Sequence, residues 1–301
     1  MKRKQELFSG KISTYDKNDF FNNWKNINKN LGDRWDAVVK YSPHKDLKKP
    51  TLTDNYFVDA IVRLLSVWLP KKKNLKVLKY DLYNEATMTA TLADWFLSRG
   101  YDYYGVDISK EVVKLARKNF RGRVDSRHFK YGDIRKLPFK DNTFDIVFSF
   151  GTIEHIRENF KSVCEAYRVL KPGGLFITGI NNKLDLWFSY FVNESTNGIF
   201  KHITSYEPSY FPWEQRRWLK DAGFEKIKTT GMIMFPHLIR YMDLFIEWKQ
   251  MNGSIKFVWN NLVIRSLIKV ATFLDGLDTI RLLGMHTTSY GIKPKVKRKK
   301  K

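Results

Sequence analysis

Strand-like and helical segments alternate between Lys76 and Ile180, and this alternation constrains the fold more than any other feature of the chain. The predicted strands of this region are 76–81, 102–107, 127–131, 144–150 and 174–180. The predicted helices are 86–98, 110–119 and 156–170. Alternation at this spacing is typical of a parallel sheet with helices on both faces, and ligands of such sheets bind at the carboxyl ends of the strands. The sequence therefore predicts an α/β fold with its site at that edge.

Segments on both sides of this region extend the prediction to the rest of the chain. Apolar residues between Thr53 and Leu69 recur at helical spacing, which predicts an amphipathic helix that Pro70 ends. Later in the chain the alternation loosens, and the last two strands are predicted over 224–231 and 286–293. We expect four regions: a helical lead-in or lid over 1–70, a core over 71–235, a helical insertion over 236–285, and a last strand with a basic tail over 286–301.

Composition places the chain among globular proteins. Its 301 residues are 43% hydrophobic and 15% aromatic, which is enough for a packed core and excludes a disordered chain. The single cysteine, Cys164, excludes an intramolecular disulfide and argues against a cysteine-rich zinc site, and we find no other convincing cluster of metal ligands. The basic start at Met1 is not followed by an apolar segment, so no signal peptide is indicated. We therefore expect a cytoplasmic protein that needs no metal.

The chain is strongly basic, with 54 lysines and arginines against 31 acidic residues and a net charge of +23. Such an excess favours anionic surroundings, which include nucleic acid, anionic lipid headgroups and phosphorylated substrates. Part of the charge lies in the tail, at Lys293, Lys295, Lys297, Arg298, Lys299, Lys300 and Lys301. The alternative is that this tail is a solvated end, so charge alone names no substrate.

Carboxylates stand at the ends of two predicted strands. Asp107 ends the second strand in the sequence GVDIS, where a carboxylate is able to accept hydrogen bonds from both hydroxyls of a ribose. The alternative is an ordinary carboxylate at a helix N-cap. Asp133 ends the next strand in the sequence GDI, and this repetition favours the functional interpretation of Asp107.

The exit of the fourth strand carries groups that suit a reacting edge. Gly151 allows a close approach of the backbone, and Glu154 or His155 is a candidate to accept a proton from a substrate. The alternative is that Glu154 and His155 merely begin the next helix. The sequence leaves both interpretations open.

The two carboxylates, the fourth strand with its exit, and the KPGG turn at 171–174 together resemble the core of the class I S-adenosylmethionine (SAM) methyltransferases. Among these, the core looks like that of the quinone-biosynthesis methyltransferases, and the resemblance covers roughly Leu75 to Ile180. It implies a Rossmann-like, doubly wound, mostly parallel seven-stranded sheet and SAM as the cofactor. It also implies that a methyl group is transferred to a small-molecule or lipid-like acceptor.

The resemblance assigns roles to single residues. Asp107 would hold the ribose, Asp133 or its backbone would contact the adenine, and Asp81 with Glu85 would meet the ammonium at the methionine end. Residues 151–155 would face the acceptor. The implied cofactor contacts are Asp81, Glu85, Asp107, Ile108, Asp133, Ile134, Phe150 and Gly151.

The loop after the first strand departs from the family pattern. The family's G-x-G-x-G loop lets backbone amides approach the methionine part of the cofactor, whereas residues 81–87 of this chain read DLYNEAT, without glycine. Asp81 still supplies an acid at the strand end, and Glu85 offers a second. One interpretation is a working variant of the loop. The alternative is a degenerate site that keeps the fold without the activity.

The helical insertion bears on the choice of acceptor. Its segment 257–277 carries an apolar stripe at Phe257, Ile264, Leu267, Ile268, Ala271 and Leu274. Arg265 and Lys269 argue against a bilayer crossing, which needs roughly 20 mainly apolar residues. The helix either packs on the core or lies at a membrane interface. The second interpretation fits a lipid-like acceptor and a peripheral contact with an anionic membrane.

RNA is the competing acceptor, and a non-catalytic binding protein is the third interpretation. The charge suits RNA, and Tyr210, Trp213 and Trp218 are candidates to stack on bases. Against RNA, we find neither an appended RNA-binding module nor an Asn-Pro-Pro-Tyr motif for methylation of base amino groups. Nothing in the sequence indicates a stable protein partner.

Overall fold

The sheet at the centre of the molecule has the predicted architecture. This computed structural model describes residues 31–41, 49–87, 92–187, 208–249 and 253–295. Within these ranges the strands are β1 (Lys76–Tyr80), β2 (Asp102–Asp107), β3 (Phe129–Tyr131), β4 (Phe144–Phe150), β5 (Leu170–Asn181), β6 (Glu225–Met232) and β7 (His286–Ile292). They form one sheet in the order β3-β2-β1-β4-β5-β7-β6, in which β7 runs antiparallel to both neighbours and the other pairs are parallel. The predicted doubly wound, mostly parallel seven-stranded sheet is confirmed.

Helices cover both faces of this sheet. The α-helices are α1 (Leu31–Tyr41), α2 (Leu52–Trp68), α3 (Tyr83–Thr87), α4 (Leu92–Ser98), α5 (Lys110–Asn119), α6 (Asn159–Val169), α7 (Pro212–Asp221), α8 (His237–Trp248), α9 (Ser254–Val258) and α10 (Arg265–Asp275). A π-helical turn, Trp259–Ile264, joins α9 to α10, and short 3-10 turns lie at Ser126–His128, Ile153–His155 and Arg281–Leu283. The core has two apolar clusters, one on each face of the sheet. Phe148 and Ile177 belong to the first cluster, and Val147 and Phe176 to the second.

Side-chain caps fix where two of the helices begin. The Thr51 hydroxyl accepts a hydrogen bond from the Asp54 amide at 3.0 Å, and the Asp54 carboxylate accepts one from the Thr51 amide at 3.2 Å, so α2 starts with a capping box. The Ser109 hydroxyl accepts a hydrogen bond from the Val112 amide at 3.0 Å at the start of α5. Because α5 begins directly after β2, the residue at the end of β2 is held at the carboxyl edge of the sheet.

Two predicted helices differ from the observed ones. The segment 86–98 contains the end of α3 and all of α4, and residues 88–91 between them lie outside the described residues. The helix predicted over 156–170 begins at Asn159, after the separate 3-10 turn that follows β4. The predicted boundary was therefore too early by the length of one turn.

The entry into β5 also differs from the prediction. β5 begins at Leu170 rather than at Gly174, so the KPGG sequence lies inside the strand. Its pairing with β4 is irregular there, because Phe144 opposes Leu170 whereas Ile146 opposes Leu175. The extra residues on β5 form a bulge, which a sequence pattern of turn residues does not distinguish from a loop.

The lead-in is described only from α1 onward and for residues 49–70, since 1–30 and 42–48 lie outside the described residues. α1 lies against the loop that follows β2. Leu31 is buried in the second apolar cluster. The backbone of Gly32 approaches Ile108 so closely that a Cβ there would lie 2.8 Å from the Ile108 carbonyl oxygen. This helix therefore covers part of the edge where the site is predicted.

Candidate cofactor site

Asp107 lies at the end of β2, where the sequence predicts a ribose ligand. Its Oδ2 accepts a hydrogen bond from the Leu82 amide at 2.8 Å, and its Oδ1 accepts one from the Ser109 amide at 2.8 Å. Burial raises the pKa of Asp107 to about 7; the two amides oppose this shift, and nearby Asp81 adds to it. The carboxylate is therefore fixed by the loops after β1 and β2, and its charge changes near neutral pH.

The glycine-free loop after β1 keeps a turn that usually requires glycine. Asp81 adopts a φ of +64°, in the left-handed region that favours glycine. The next side chain, Leu82, lies against β2, where a Cβ on Gly105 would come within 2.2 Å of Leu82 Cδ2. Space for the leucine is therefore provided by a glycine on the neighbouring strand.

Lys79 is a residue of this site that the sequence analysis missed. It is buried in β1, and its Nζ lies 2.9 Å from Asp81 Oδ1, 3.1 Å from the Asp81 carbonyl oxygen and 3.0 Å from Glu85 Oε2. Burial lowers the pKa of Lys79, but the two carboxylates outweigh burial and raise the pKa above its ordinary value, so the ammonium is charged. The sequence feature that could have identified it is a lysine inside a buried strand, two residues before Asp81.

Lys79 changes the roles open to the two acids that the sequence analysis placed at the methionine end. Glu85 is fully buried, and its Oε1 accepts a hydrogen bond from the Tyr103 hydroxyl at 2.9 Å. Asp81 is partly exposed, and its Oδ2 accepts a hydrogen bond from the Thr152 hydroxyl at 2.6 Å. The ammonium that contacts both carboxylates is therefore that of Lys79, whereas the sequence prediction had the ammonium of the cofactor in this place. Of the two acids, Asp81 is the one that solvent reaches.

The predicted adenine side carries an ion pair at Asp133. Nε and Nη2 of Arg135 lie 2.9 and 2.6 Å from Asp133 Oδ2, so a guanidinium holds this carboxylate. Ile134 is buried, and Ile108 is partly buried, in the apolar cluster that also contains Leu31 of α1. Both predicted apolar contacts therefore belong to one cluster, and α1 lies directly against Ile108.

The exit of β4 brings together the residues predicted to face the acceptor. Gly151 adopts a φ of +69°, and Phe150 beside it is partly exposed. Glu154 is buried in the 3-10 turn after β4, whereas the His155 ring lies 5.5 Å from the ring of Trp35 on α1. These two candidates for accepting a proton thus sit in a separate turn and do not begin α6.

Three buried polar side chains that the sequence did not predict as site residues lie together beside Phe150. Asn181 opposes His286 in the pairing of β5 with β7, and Thr288 follows two residues further along β7 on the same face. Within the described ranges, Asn181 Nδ2, His286 Nδ1 and Thr288 Oγ1 have no hydrogen-bond partner. These three residues are referred to below as the polar trio. Only the strand register joins them, since β5 and β7 are far apart along the chain.

The Phe150 ring covers the sheet next to the polar trio. It occupies the space above Gly179, where a Cβ would lie 2.1 Å from a ring atom, and its centroid is 4.9 Å from that of the His286 ring. Burial, together with the charge of Arg240, lowers the pKa of His286 to about 3, and the Ile180 carbonyl opposes this shift. The imidazole is therefore neutral at neutral pH.

Of the three aromatic residues considered for stacking on bases, two pack against each other and one is exposed. Tyr210 and Trp218 pack edge to face with ring centroids 4.8 Å apart, and Trp213 is exposed and stacks on Phe211 at 4.3 Å.

Among the residues that the structure describes, no group of three or more His, Cys, Asp or Glu side chains is placed to hold a metal ion.

The sequence matches known proteins over part of its length. Residues 86–178 match a family described as a methyltransferase domain. The mitochondrial 2-methoxy-6-polyprenyl-1,4-benzoquinol methylase of Xenopus laevis is 32% identical over 152 residues, which cover 42% of this chain and 48% of that protein. The ubiquinone/menaquinone biosynthesis C-methyltransferase of Brucella canis is 31% identical over 156 residues, which cover 44% of this chain and 57% of that protein. The chain spans less than two thirds of the length of the curated relatives it matches.

Solved structures share the fold over most of the chain. A SAM-dependent methyltransferase from Thermotoga maritima superposes with a TM-score of 0.50 at 17% identity and covers 80% of this chain and 91% of its own. The [4+2]-cyclase SpnF superposes with a TM-score of 0.55 at 14% identity and covers 88% of this chain and 95% of its own. One neighbour is named for methyl transfer and the other for cyclisation, so the fold alone does not fix the reaction.

Proposed function

Because the chain contains a class I SAM-dependent methyltransferase domain, we propose that the protein transfers the methyl group of SAM to a small-molecule or lipid-like acceptor. The observation that carries the proposal is the group of carboxylates at the carboxyl ends of β1 and β2. This edge adjoins the point between β1 and β4 where the strand order reverses, which is where sheets of this kind bind ligands. The hydrogen bond from Thr152 to Asp81 spans that point.

SAM suits the charge of this edge. It carries a sulfonium cation, an ammonium group and a ribose diol, and each of these favours a carboxylate partner. The carboxylates of Asp81 and Glu85 hydrogen-bond the buried ammonium of Lys79, and the carboxylate of Asp107 lies near enough to interact with its charge. Acidic groups therefore outnumber the single lysine at this edge, and ionisation of Asp107 makes the edge more negative still. Asp107 would hold the ribose and the partly exposed Asp81 the methionine end, while Lys79 and Glu85 support Asp81 from within the core.

The chain's own contribution to methyl transfer would be positioning and exclusion of water. Bound SAM supplies a methyl group that is already activated. Asp107 ties together the two loops on which the cofactor would rest, and α1 covers the edge beside them. Gly151 leaves space after β4 for a close approach of the reacting groups. Such positioning contributes several kcal/mol to transfer reactions.

We place the acceptor at the polar trio. A buried donor or acceptor without a partner costs about 1–3 kcal/mol, so an acceptor hydroxyl or amine that reached these groups would recover hydrogen bonds. Neutral His286 is able to accept a hydrogen bond, and Asn181 is able to donate one. The Phe150 ring lies beside the trio and fills the space that the absent side chain of Gly179 leaves, so it would have to move to admit an acceptor. His155, at the same edge, remains a prediction for the proton acceptor.

Calorimetric titration of the protein with SAM and with its demethylated product tests the cofactor. Micromolar binding of SAM supports the proposal, whereas a folded sample that binds neither compound contradicts it and favours a non-catalytic protein on this fold. Incubation of a cell extract with tritiated SAM then tests the acceptor. Label in lipids or small molecules supports the proposal. Label in RNA would establish the competing acceptor, and the absence of label despite binding would argue against transfer.

A further inference from the structure

The helix that runs through α9, the π-helical turn and α10 packs on the core along one side. Ile264 and Ala271 are buried against the first apolar cluster, and Leu267, Ile268 and Leu274 are partly buried against it. The stripe expected from the sequence therefore faces the core, with the exception of Phe257, which is exposed. This contact holds the helix to the domain.

The opposite side of the same helix exposes a second set of large apolar residues. Phe257, Leu262 and Phe273 are 66%, 64% and 67% exposed, and Val258 and Val270 are also exposed. From Val258 the steps to Leu262, Val270 and Phe273 are four, eight and three residues, which places these four along one side of the helix, and Phe257 lies next to Val258. These five residues are referred to below as the apolar ridge. A continuous exposed set of this kind is typical of an interaction surface.

The charge beside the apolar ridge indicates which surface it fits. The segment 254–274 contains Lys256, Arg265 and Lys269 and no acidic residue. Arg265 and Lys269 are exposed, whereas Lys256 pairs with Glu247 of α8 at 2.8 Å. Apolar side chains flanked by cations suit an interface with anionic lipid headgroups. A second copy of the chain is disfavoured, because each copy carries a net charge of +23.

The attachment of the helix to the domain favours a surface position over a crossing. By length and composition alone, the 20-residue helix Lys256–Asp275 is able to span a membrane, and 11% of its most apolar window is buried. A crossing would have to detach Ile264 and Ala271 from the core. It would also break the hydrogen bond that the Tyr56 hydroxyl donates to Asp275 at 2.6 Å. A helix that keeps these contacts lies along the surface of the domain, with the apolar ridge facing away from the core.

We propose that the apolar ridge docks the protein on an anionic membrane surface, with Arg265 and Lys269 at the headgroups. This inference does not depend on the proposed methyl transfer, since the contact involves neither SAM nor an acceptor. It would bring the protein to the place where a lipid-like acceptor is found.

Co-sedimentation of the full chain with phosphatidylcholine vesicles, with and without phosphatidylserine, tests the docking. We expect binding to the phosphatidylserine vesicles. The double variant Leu262→Ser with Phe273→Ser should weaken it by about tenfold or more, because it removes two apolar side chains that bury in the lipid. Val67→Ser is the matched control, since Val67 is 81% exposed on α2, outside the apolar ridge, and should leave binding unchanged.

A charge variant separates the two contributions. Arg265→Gln with Lys269→Gln should reduce binding to phosphatidylserine vesicles and make it less sensitive to salt, because ionic attraction is screened by salt. The control removes two exposed lysines elsewhere, Lys72→Gln with Lys73→Gln, and should have a smaller effect.

Four results would overturn the proposal. The first is no sedimentation with either vesicle. The second is binding that survives loss of the apolar ridge, which would point to another basic segment such as the tail, whose residues 296–301 lie outside the described residues. The third is a dimer, seen by light scattering, that the double variant dissociates while vesicle binding persists. The fourth is bound protein that alkaline carbonate fails to release, which would favour a crossing helix.

Discussion

Lys79 is a charged residue at a position of β1 where burial excludes water. A buried ammonium is costly unless it is paired and hydrogen-bonded, and here Asp81, its carbonyl oxygen and Glu85 supply three oxygen partners. These contacts also hold the turn at Asp81, whose φ is positive without a glycine. The lysine thus supports the loop where the family relies on glycine.

Substitution of Lys79 tests this role through stability. Lys79→Met should lower the free energy of unfolding by roughly 3–5 kcal/mol, because it leaves buried Glu85 without its cation. The double variant Lys79→Met with Glu85→Gln should recover part of the loss. Urea unfolding of the three proteins measures both effects. A single variant as stable as the wild type would show that the ion pair does not hold the loop.

Asp107 is expected to contribute to cofactor affinity through charge-assisted hydrogen bonds. Asp107→Ala should weaken the binding of SAM by about tenfold or more, since a hydrogen bond to a charged group contributes about 1.5–3 kcal/mol. Calorimetric titration measures the change. Asp125→Ala is the control, because Asp125 is a surface carboxylate paired with Arg127 and away from the edge. Equal affinity in a folded Asp107→Ala protein would exclude the ribose role.

Asp107 also predicts how stability depends on pH. Its pKa in the folded protein is raised to about 7 from the ordinary value of 3.8, so between these values the folded protein keeps a proton that the unfolded chain has lost. The contribution of Asp107 to stability should therefore fall as the pH rises through this window and stay constant above about 7. Urea unfolding across this range should show a weaker fall in Asp107→Asn than in the wild type. Parallel curves would contradict the raised pKa.

At the scale of secondary-structure elements, the pairing of β5 with β7 creates the polar trio. Asn181 and His286 become neighbours only in this register, and a slip by one residue would turn their side chains to the other face. The antiparallel strand β7 therefore carries two members of the trio, and β5 carries the third. The acceptor end of the proposed site depends on where β7 enters the sheet.

Two threonines on opposite faces of these strands form a matched test. Thr288 and Thr178 are both buried, and both hydroxyls have no hydrogen-bond partner in the described ranges. Thr288→Val and Thr178→Val should each raise the free energy of unfolding, by about 1 kcal/mol, because each removes an unsatisfied polar group. Only Thr288→Val should also slow methyl transfer to the acceptor that the isotope experiment labels. A loss of stability in Thr288→Val would mean that this hydroxyl has a partner.

At the scale of the whole molecule, the fold followed from the sequence, whereas only part of the site did. The alternation of strands and helices is a local pattern, so it predicted the sheet, and the position of Asp107 at the carboxyl edge followed because this residue ends a strand, whereas its role stays a prediction. Lys79 was missed because its partners appear only when the loop after β1 folds back on the strand. Asn181 and His286 were missed because no local pattern predicts which residues oppose each other in distant strands.

The place of the helical insertion has a consequence for the evolution of such proteins. α8, α9 and α10 lie between β6 and β7, and the ends of these strands meet where Met232 pairs with His286. Both ends of the insertion therefore leave the sheet side by side. Because its ends are adjacent, a segment of different length that still covers the first apolar cluster fits here without a change in strand register. Homologues with the same sheet would then differ in this one insertion, and therefore in the surfaces that they bind.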